Sequence, residues 1–200
     1  MSVADRFTKI FKKDSWQRNL KYKESVSGPG SFLRNTENIR HYLPKIIKEF
    51  NIKSVLDLPC GDLNWIKEIL PFKNTSYIGA DCVKELIELN KLKYPSYDLR
   101  VLDIINDDLP KVDMIIVRDC LVHLSKVNIM KALDNISHAC IKYLLVTSFP
   151  DTTTTKKISN GQWRRLNMEL PEFNLTLKLQ EIKERERGKY IMLFQLSNSL

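Results

Sequence analysis

The stretch Ser54-Val-Leu-Asp-Leu-Pro-Cys-Gly-Asp-Leu63 constrains this chain more than any other. A short apolar run ends on Asp57, a Pro-Cys-Gly turn follows, and Leu63-Asn-Trp-Ile-Lys-Glu-Ile-Leu70 continues with helical spacing. That order predicts a buried parallel strand, a tight turn and a helix over 63–70, the opening of a nucleotide-binding βα unit. A second strand pattern, Tyr77-Ile-Gly-Ala-Asp81, also ends on an acid, 24 residues after Asp57. Two acids so placed suit a ligand with a ribose and a positive charge better than one led by a pyrophosphate. Pro59 points the same way, because a phosphate cradle needs free amides and proline has none.

Strand and helix patterns alternate from there. Strands are predicted at 53–57, 76–80, 98–102, 112–117 and 142–148, and further helices at 83–93 and 126–138. Such alternation gives an α/β fold with an open, doubly wound, mostly parallel sheet. Leu175–Lys183 and Lys189–Leu196 read as a C-terminal hairpin around Gly188, so one of its strands must run antiparallel to the rest. Before the first strand, Ile39, Leu43, Ile46, Ile47 and Phe50 have helical spacing, with Pro44 expected to kink or restart that helix. Residues 1–50 are therefore expected as an N-terminal helical cover and 51–200 as the core, in one domain overall. The cover ends in a loop of small residues, Glu24-Ser-Val-Ser-Gly-Pro-Gly-Ser31, whose glycines can take positive φ.

Composition excludes little else. An apolar fraction of 43% supports a sizeable core. No apolar run is long enough to span a membrane, and the N-terminus lacks the layout of a signal peptide. Cys60, Cys82, Cys120 and Cys140 are widely spaced and sit in or beside apolar runs. That predicts reduced thiols without a metal, in a cytoplasmic protein. The net charge of +8 is spread along the chain, which favours a solvated surface over a nucleic-acid footprint. Nothing in the sequence sets an oligomeric state.

Ligands of an open α/β sheet sit at the carboxyl ends of its strands. Gly61 would let the backbone approach such a ligand, and Asp57 and Asp62 could face a positive group or order water near it. Asp81 offers two oxygens to a vicinal diol, or else caps the helix at 83–93. The next strand ends on Leu102-Asp-Ile104, and the one after it delivers Arg118, Asp119 and His123. These four strand ends, in this order and spacing, resemble the class I S-adenosylmethionine (SAM) methyltransferases over roughly residues 50–148. The resemblance implies a Rossmann-like sheet of seven strands ending in an antiparallel hairpin. It implies SAM as cofactor, held by Asp57, Pro59, Gly61, Asp81, Asp103, Ile104 and Arg118, with Asp103 on the adenine amino group and Ile104 against the ring. Pro59 and Leu63 stand where the family has glycines, a loss that a phosphate-free cofactor tolerates.

The phrases Ser25-Val-Ser-Gly-Pro-Gly-Ser31, Asp57-Leu-Pro-Cys-Gly-Asp-Leu-Asn-Trp65, Arg118-Asp-Cys-Leu-Val-His-Leu-Ser125 and Gly161-Gln-Trp-Arg-Arg-Leu-Asn167 resemble a group of small bacterial methyltransferases associated with capsule and surface-glycan modification. This implies methyl transfer to an oxygen of a small polar acceptor, a sugar, glycan precursor or phosphate ester. For a hydroxyl acceptor His123 is the best-matched base, and Asp119 orients the acceptor, holds the imidazole or is itself the base. For an anionic phosphate acceptor, Arg118, Arg164 and Arg165 become the key groups. Trp163, Ser27 and Trp16 complete the expected acceptor side, the last two from the cover. The Asn/Asp-Pro-Pro-Tyr run of nucleic-acid amino methyltransferases is replaced here by Arg118-Asp-Cys-Leu121, which favours oxygen over a base amine. An RNA or protein methyltransferase using the basic surface is the alternative, and a non-catalytic partner protein of the same fold is a third.

Overall fold

The computed structural model describes residues 2–16 and 22–196. Seven strands form one sheet: β1 Ser54–Asp57, β2 Ser76–Asp81, β3 Asp98–Val101, β4 Met114–Val117, β5 Tyr143–Ser148, β6 Leu177–Lys183 and β7 Tyr190–Gln195. Their order is β3-β2-β1-β4-β5-β7-β6. Strands β1 to β5 pair in parallel, and β7 runs antiparallel between β5 and β6. Among the described residues four α-helices accompany them: α1 Val3–Lys12, α2 Glu37–Glu49, α3 Lys84–Lys93 and α4 Lys126–His138.

Strand alternation explains why both faces of the sheet are dry. Met114, Ile116, Tyr143 and Leu145 pack with Ile39, Leu43, Ile46 and Ile47 of α2 and Ile87 of α3. Their neighbours in sequence, Ile115, Val117, Leu144 and Val146, point the other way and pack with Ile129, Ala132 and Ile136 of α4. Helix α4 starts where Ser125 caps it, its hydroxyl accepting from the Asn128 amide. Helix α2 continues through Pro44 without restarting. It belongs to the core, so the cover over the strand ends is narrower than residues 1–50. It comprises α1, Trp16 and the loop 25–31, called the strap below.

The helix expected at 63–70 is absent. The segment is a series of turns with a short 3-10 turn at Ile66–Glu68. Leu63, Trp65 and Ile66 are buried, which is the apolar pattern that suggests a helix. Yet Leu63 adopts φ 59°, a left-handed value that interrupts helical hydrogen bonding. Contacts with the strap hold the irregular path instead: the Asn64 amide nitrogen donates to Glu24 at 2.7 Å and to the Ser31 carbonyl at 2.9 Å. Pro71 then disfavours helix at residue 70.

Candidate active site

The carboxyl ends of β3, β2, β1 and β4 lie side by side, so Asp103, Asp81, Gly61 and Arg118 follow one another along one edge. A cavity of about 410 Å³ opens there. That is within the roughly 300–1,000 Å³ of small-molecule sites. Leu102, Ile104, Ile105, Val83 and Leu86 give one end an apolar lining, and Phe7, Phe11, Trp16, His123 and Trp163 surround the other.

The strap forms a continuous wall, residues 26–31 all lining the cavity. Side chains clasp it. Asp62 accepts from the Ser25 hydroxyl, the Val26 amide and the Ser27 hydroxyl. Arg118 donates to the Gly30 carbonyl at 2.8 Å. Glycine is required where the strap meets the strand ends. A Cβ on Gly61, at φ 56°, would lie 2.2 Å from Ser27 Oγ, and one on Gly30 would lie 2.5 Å from Asp119 Oδ2. Gly61 lines the cavity as expected, but its missing side chain makes room for the strap.

Helix α1 crosses the mouth. Lys12 pairs with Glu85 of α3 at 2.5 Å, while Ile10 and Arg6 press on Gly161, where a Cβ would come within 2.7 Å of Ile10. Gly161 belongs to the segment that runs beside β4's exit, its N–H donating to the His123 carbonyl at 2.8 Å.

Strand-end acids of one chemical type meet three environments. Asp57 is buried beneath the edge and does not line the cavity. Burial pushes its carboxyl up to about 7, although Tyr77, donating at 2.9 Å, and the Arg118 charge pull it down. The expectation that it faces the cofactor gives way to this bond to Tyr77. Asp81 lines the cavity, and burial raises it to about 6 against hydrogen bonds from the Val83 and Gly61 amides. Asp103 also lines the cavity, its carboxylate accepting from the Ile105 amide and the Asn106 side chain.

Asp119 is different again. Burial alone would raise it, but the Lys189 ammonium and the Arg118 guanidinium hold it well below the usual carboxylate range. Lys189 donates to it at 2.7 Å and Thr147 at 3.2 Å. Arg118, 5% exposed, donates to Glu184 at 2.6 Å, and Glu184 also lies 3.2 Å from Lys189. Arg118 further sits over the Trp65 ring, 5.6 Å from its centroid. Sequence reasoning missed Glu184 and Lys189. Both stand in the mixed-charge run Lys183-Glu-Arg-Glu-Arg-Gly-Lys189, which reads as a solvated hairpin turn until its neighbours are known.

His123 faces Trp16 with ring centroids 5.8 Å apart and lines the cavity. Its Nδ1 lies 3.0 Å from the Gln162 carbonyl oxygen, a partner that can only accept, so Nδ1 carries the proton and Nε2 is left as the acceptor. Burial lowers the imidazole, more than its bond to Gln162 raises it. Trp163 lines the cavity with 52% exposure. The two arginines beside it do not reach the cavity. Arg164 is buried and donates to the Leu124 carbonyl at 2.7 Å, and Arg165 pairs with Asp151 at 2.8 Å and covers the Phe149 ring. The expected acceptor role of this pair is corrected accordingly: backbone and Asp151 contacts hold both guanidiniums elsewhere. No group of three metal-ligating side chains is found among the described residues, and no described helix is long and apolar enough to cross a membrane.

Two outcomes follow from these charges. Glu184→Ala leaves two buried cations, Arg118 and Lys189, to share Asp119 and should cost about 3–5 kcal/mol of stability, measured as a lower urea midpoint with unchanged slope. The second concerns pH. With Asp57 raised from 3.8 to about 7, the native state holds a proton that the unfolded chain releases between pH 4 and 7. Native stability attributable to Asp57 therefore falls as pH rises through that window. Asp57→Asn keeps an acceptor for Tyr77 without the titration. Its stability relative to the parent should rise from pH 4 to 7 in parallel melting curves, and a constant difference would count against the assignment.

No family model and no curated protein matches the sequence. Solved structures do match the fold. N-methyltransferase NodS from Bradyrhizobium japonicum WM9, in complex with S-adenosyl-L-homocysteine, is 14% identical, with a TM-score of 0.64 over 90% of this chain and 96% of that one. Magnesium protoporphyrin IX methyltransferase ChlM from Synechocystis PCC 6803, with bound S-adenosyl-L-homocysteine, is 13% identical, with a TM-score of 0.65 over 98% of each chain. The methyltransferase domain of bacterial CtHen1-CN is 14% identical, with a TM-score of 0.62 over 81% of this chain and all of that one. The chain has the Rossmann-like fold of the class I SAM-dependent methyltransferases.

Proposed function

We propose that this protein is a SAM-dependent methyltransferase acting on an oxygen of a small polar acceptor, a sugar or glycan precursor in preference to a phosphate ester. The observation that carries the reading is the row Ile104, Asp81, Gly61, His123 along one cavity at the carboxyl edge of the sheet. Asp81 is where SAM fits best. Its carboxylate is buried and raised to about 6, met by backbone amides and the Cys82 thiol but by no cation that the described contacts show, and a vicinal diol would bring two O–H donors to it. Ile104, Val83 and Leu86 offer an apolar slot of the kind an adenine needs. The neighbours of like fold that carry S-adenosyl-L-homocysteine support the same choice.

When bound, SAM supplies the methyl group and the sulfonium leaving group. The chain's own residues do the rest. His123 Nε2, with Nδ1–H fixed on Gln162, takes the proton of an acceptor hydroxyl. Lowering by burial keeps that imidazole neutral and ready near pH 7. Asp119, charged and held by Lys189, is a poor base and acts by positioning Lys189. Trp16 and the apolar side of α1 exclude water. With Arg164 and Arg165 turned away and α1 across the mouth, a small hydroxyl acceptor is favoured over a phosphate or a polymer. The likeness of the motifs to the capsule- and surface-glycan-associated group directs the first trials to sugars.

Asp81→Ala should weaken S-adenosylhomocysteine binding by about 1–3 kcal/mol in calorimetry, and unchanged affinity would refute the ribose assignment. Mass spectrometry of sugar and glycan-precursor acceptors, incubated with protein and SAM, identifies the product. On the acceptor so found, His123→Ala should lower kcat by about 10²–10⁴ with cofactor affinity intact. Near-normal turnover in that variant would remove His123 as the base.

A further inference from the structure

Charge along the cavity wall is out of balance. Among the described residues it is lined by four carboxylates, Asp81, Asp103, Asp119 and Glu186, and by two full cations, Arg118 and Lys189. Both cations are committed. Arg118 lies 3.2 Å from Asp119 and 2.6 Å from Glu184, and Lys189 lies 2.7 Å from Asp119 and 3.2 Å from Glu184. That set of four closes on itself at zero net charge. Glu186 is the charge left over at this end. Its one ion pair among the described residues is to the same Lys189 ammonium at 3.9 Å, longer than that ammonium's contacts with Asp119 and Glu184. The guanidiniums that could have answered it do not line the cavity: Arg6 lies along Gly161, Arg164 is held by the Leu124 carbonyl and Arg165 by Asp151.

The facing wall is aromatic. Phe7, Phe11, Trp16, His123 and Trp163 line it. The Trp16 ring centroid stands 6.2 Å from that of Phe7 and 5.8 Å from that of His123. Trp163 is 52% exposed, its plane at 90° to Phe149. The segments that carry the rings and the carboxylate adjoin. Arg165, two positions past Trp163, donates to the carbonyl of Arg187, next to Glu186, at 3.1 Å. Asp119, four positions before His123, holds the Lys189 that Glu186 also faces. A ring face is negative and attracts a cation, and an unbalanced carboxylate at the rim does the same. An anion is opposed by both.

We infer that Glu186 with the Trp16 and Trp163 rings forms a cation subsite, so that the acceptor carries a protonated amine beside the hydroxyl that is methylated, as in an amino sugar. The inference rests on the methyltransferase reading above, and the test separates the two. Calorimetry on the full chain saturated with S-adenosylhomocysteine compares glucosamine with glucose, which differ by an ammonium against a hydroxyl at one carbon. The titrations run at about pH 6, where the sugar amine holds its proton. Glucosamine should bind about 10-fold more tightly than glucose. Glu186→Gln, which keeps the size of the side chain, should bring that preference down to about twofold by weakening glucosamine alone. Trp163→Leu should also weaken glucosamine more than glucose. Equal affinities in the parent, binding of neither sugar, or a preference that survives Glu186→Gln each overturn the subsite while leaving the cofactor reading intact. A parent that binds no S-adenosylhomocysteine removes the methyltransferase reading and the subsite with it.

Discussion

Four charges, three of them buried and the fourth, Asp119, partly so, carry the architecture of this site. Arg118 and Asp119 leave the end of β4, Glu184 follows β6 and Lys189 precedes β7, and their ion pairs run from 2.6 to 3.2 Å. Two cations face two anions, so the group is neutral while Arg118, Glu184 and Lys189 have given up water. Such clusters add little net stability when complete and cost much when one member is lost. What this one supplies is register. It fixes where the hairpin turn stands against the exit of β4, and through the Gly30 carbonyl it fixes where the strap lies. The left-handed backbone of Asp119, at φ 53°, is held by the same contacts together with the Thr147 hydroxyl, which accepts from the Asp119 amide.

Environment, not residue type, divides the work among the acids. Asp57 and Asp81 are buried and rise, whereas Asp119, whose side chain is 26% exposed, falls because two cations touch it. A raised acid gains from any donor that arrives, which makes Asp81 receptive to a ligand. A depressed acid is already satisfied, which makes Asp119 structural in effect. His123, lowered by burial, completes the contrast.

Much of the fold was legible because it rests on period and punctuation. The alternating strands and the helix over 126–138 follow from apolar spacing, and the antiparallel hairpin from two strand patterns around Gly188. The helix expected at 63–70 failed because the same apolar residues are buried in turns whose shape is set by Glu24 and Ser31, some 30 to 40 positions away. The site divides likewise. Asp81, Gly61, Ile104 and His123 reach the cavity because strand ends deliver them there. Arg164 and Arg165 do not, since their direction depends on Leu124 and Asp151. Glu184 and Lys189 could not be seen, because a mixed-charge run looks the same in water as in a balanced buried cluster.

The strap has one more consequence, in the order of synthesis. It leaves the ribosome before any strand, but the groups that seat it emerge later: Asp62 with the first βα turn, Arg118 with β4, Glu184 and Lys189 with the last hairpin. Residues 25–31 must therefore wait, small and polar, while the parallel strands assemble. Contacts from 37 to 88 positions apart close the wall only when the hairpin β6–β7 arrives. Competence comes in a single late step, and a chain stalled short of β7 should be inert, not weakly active.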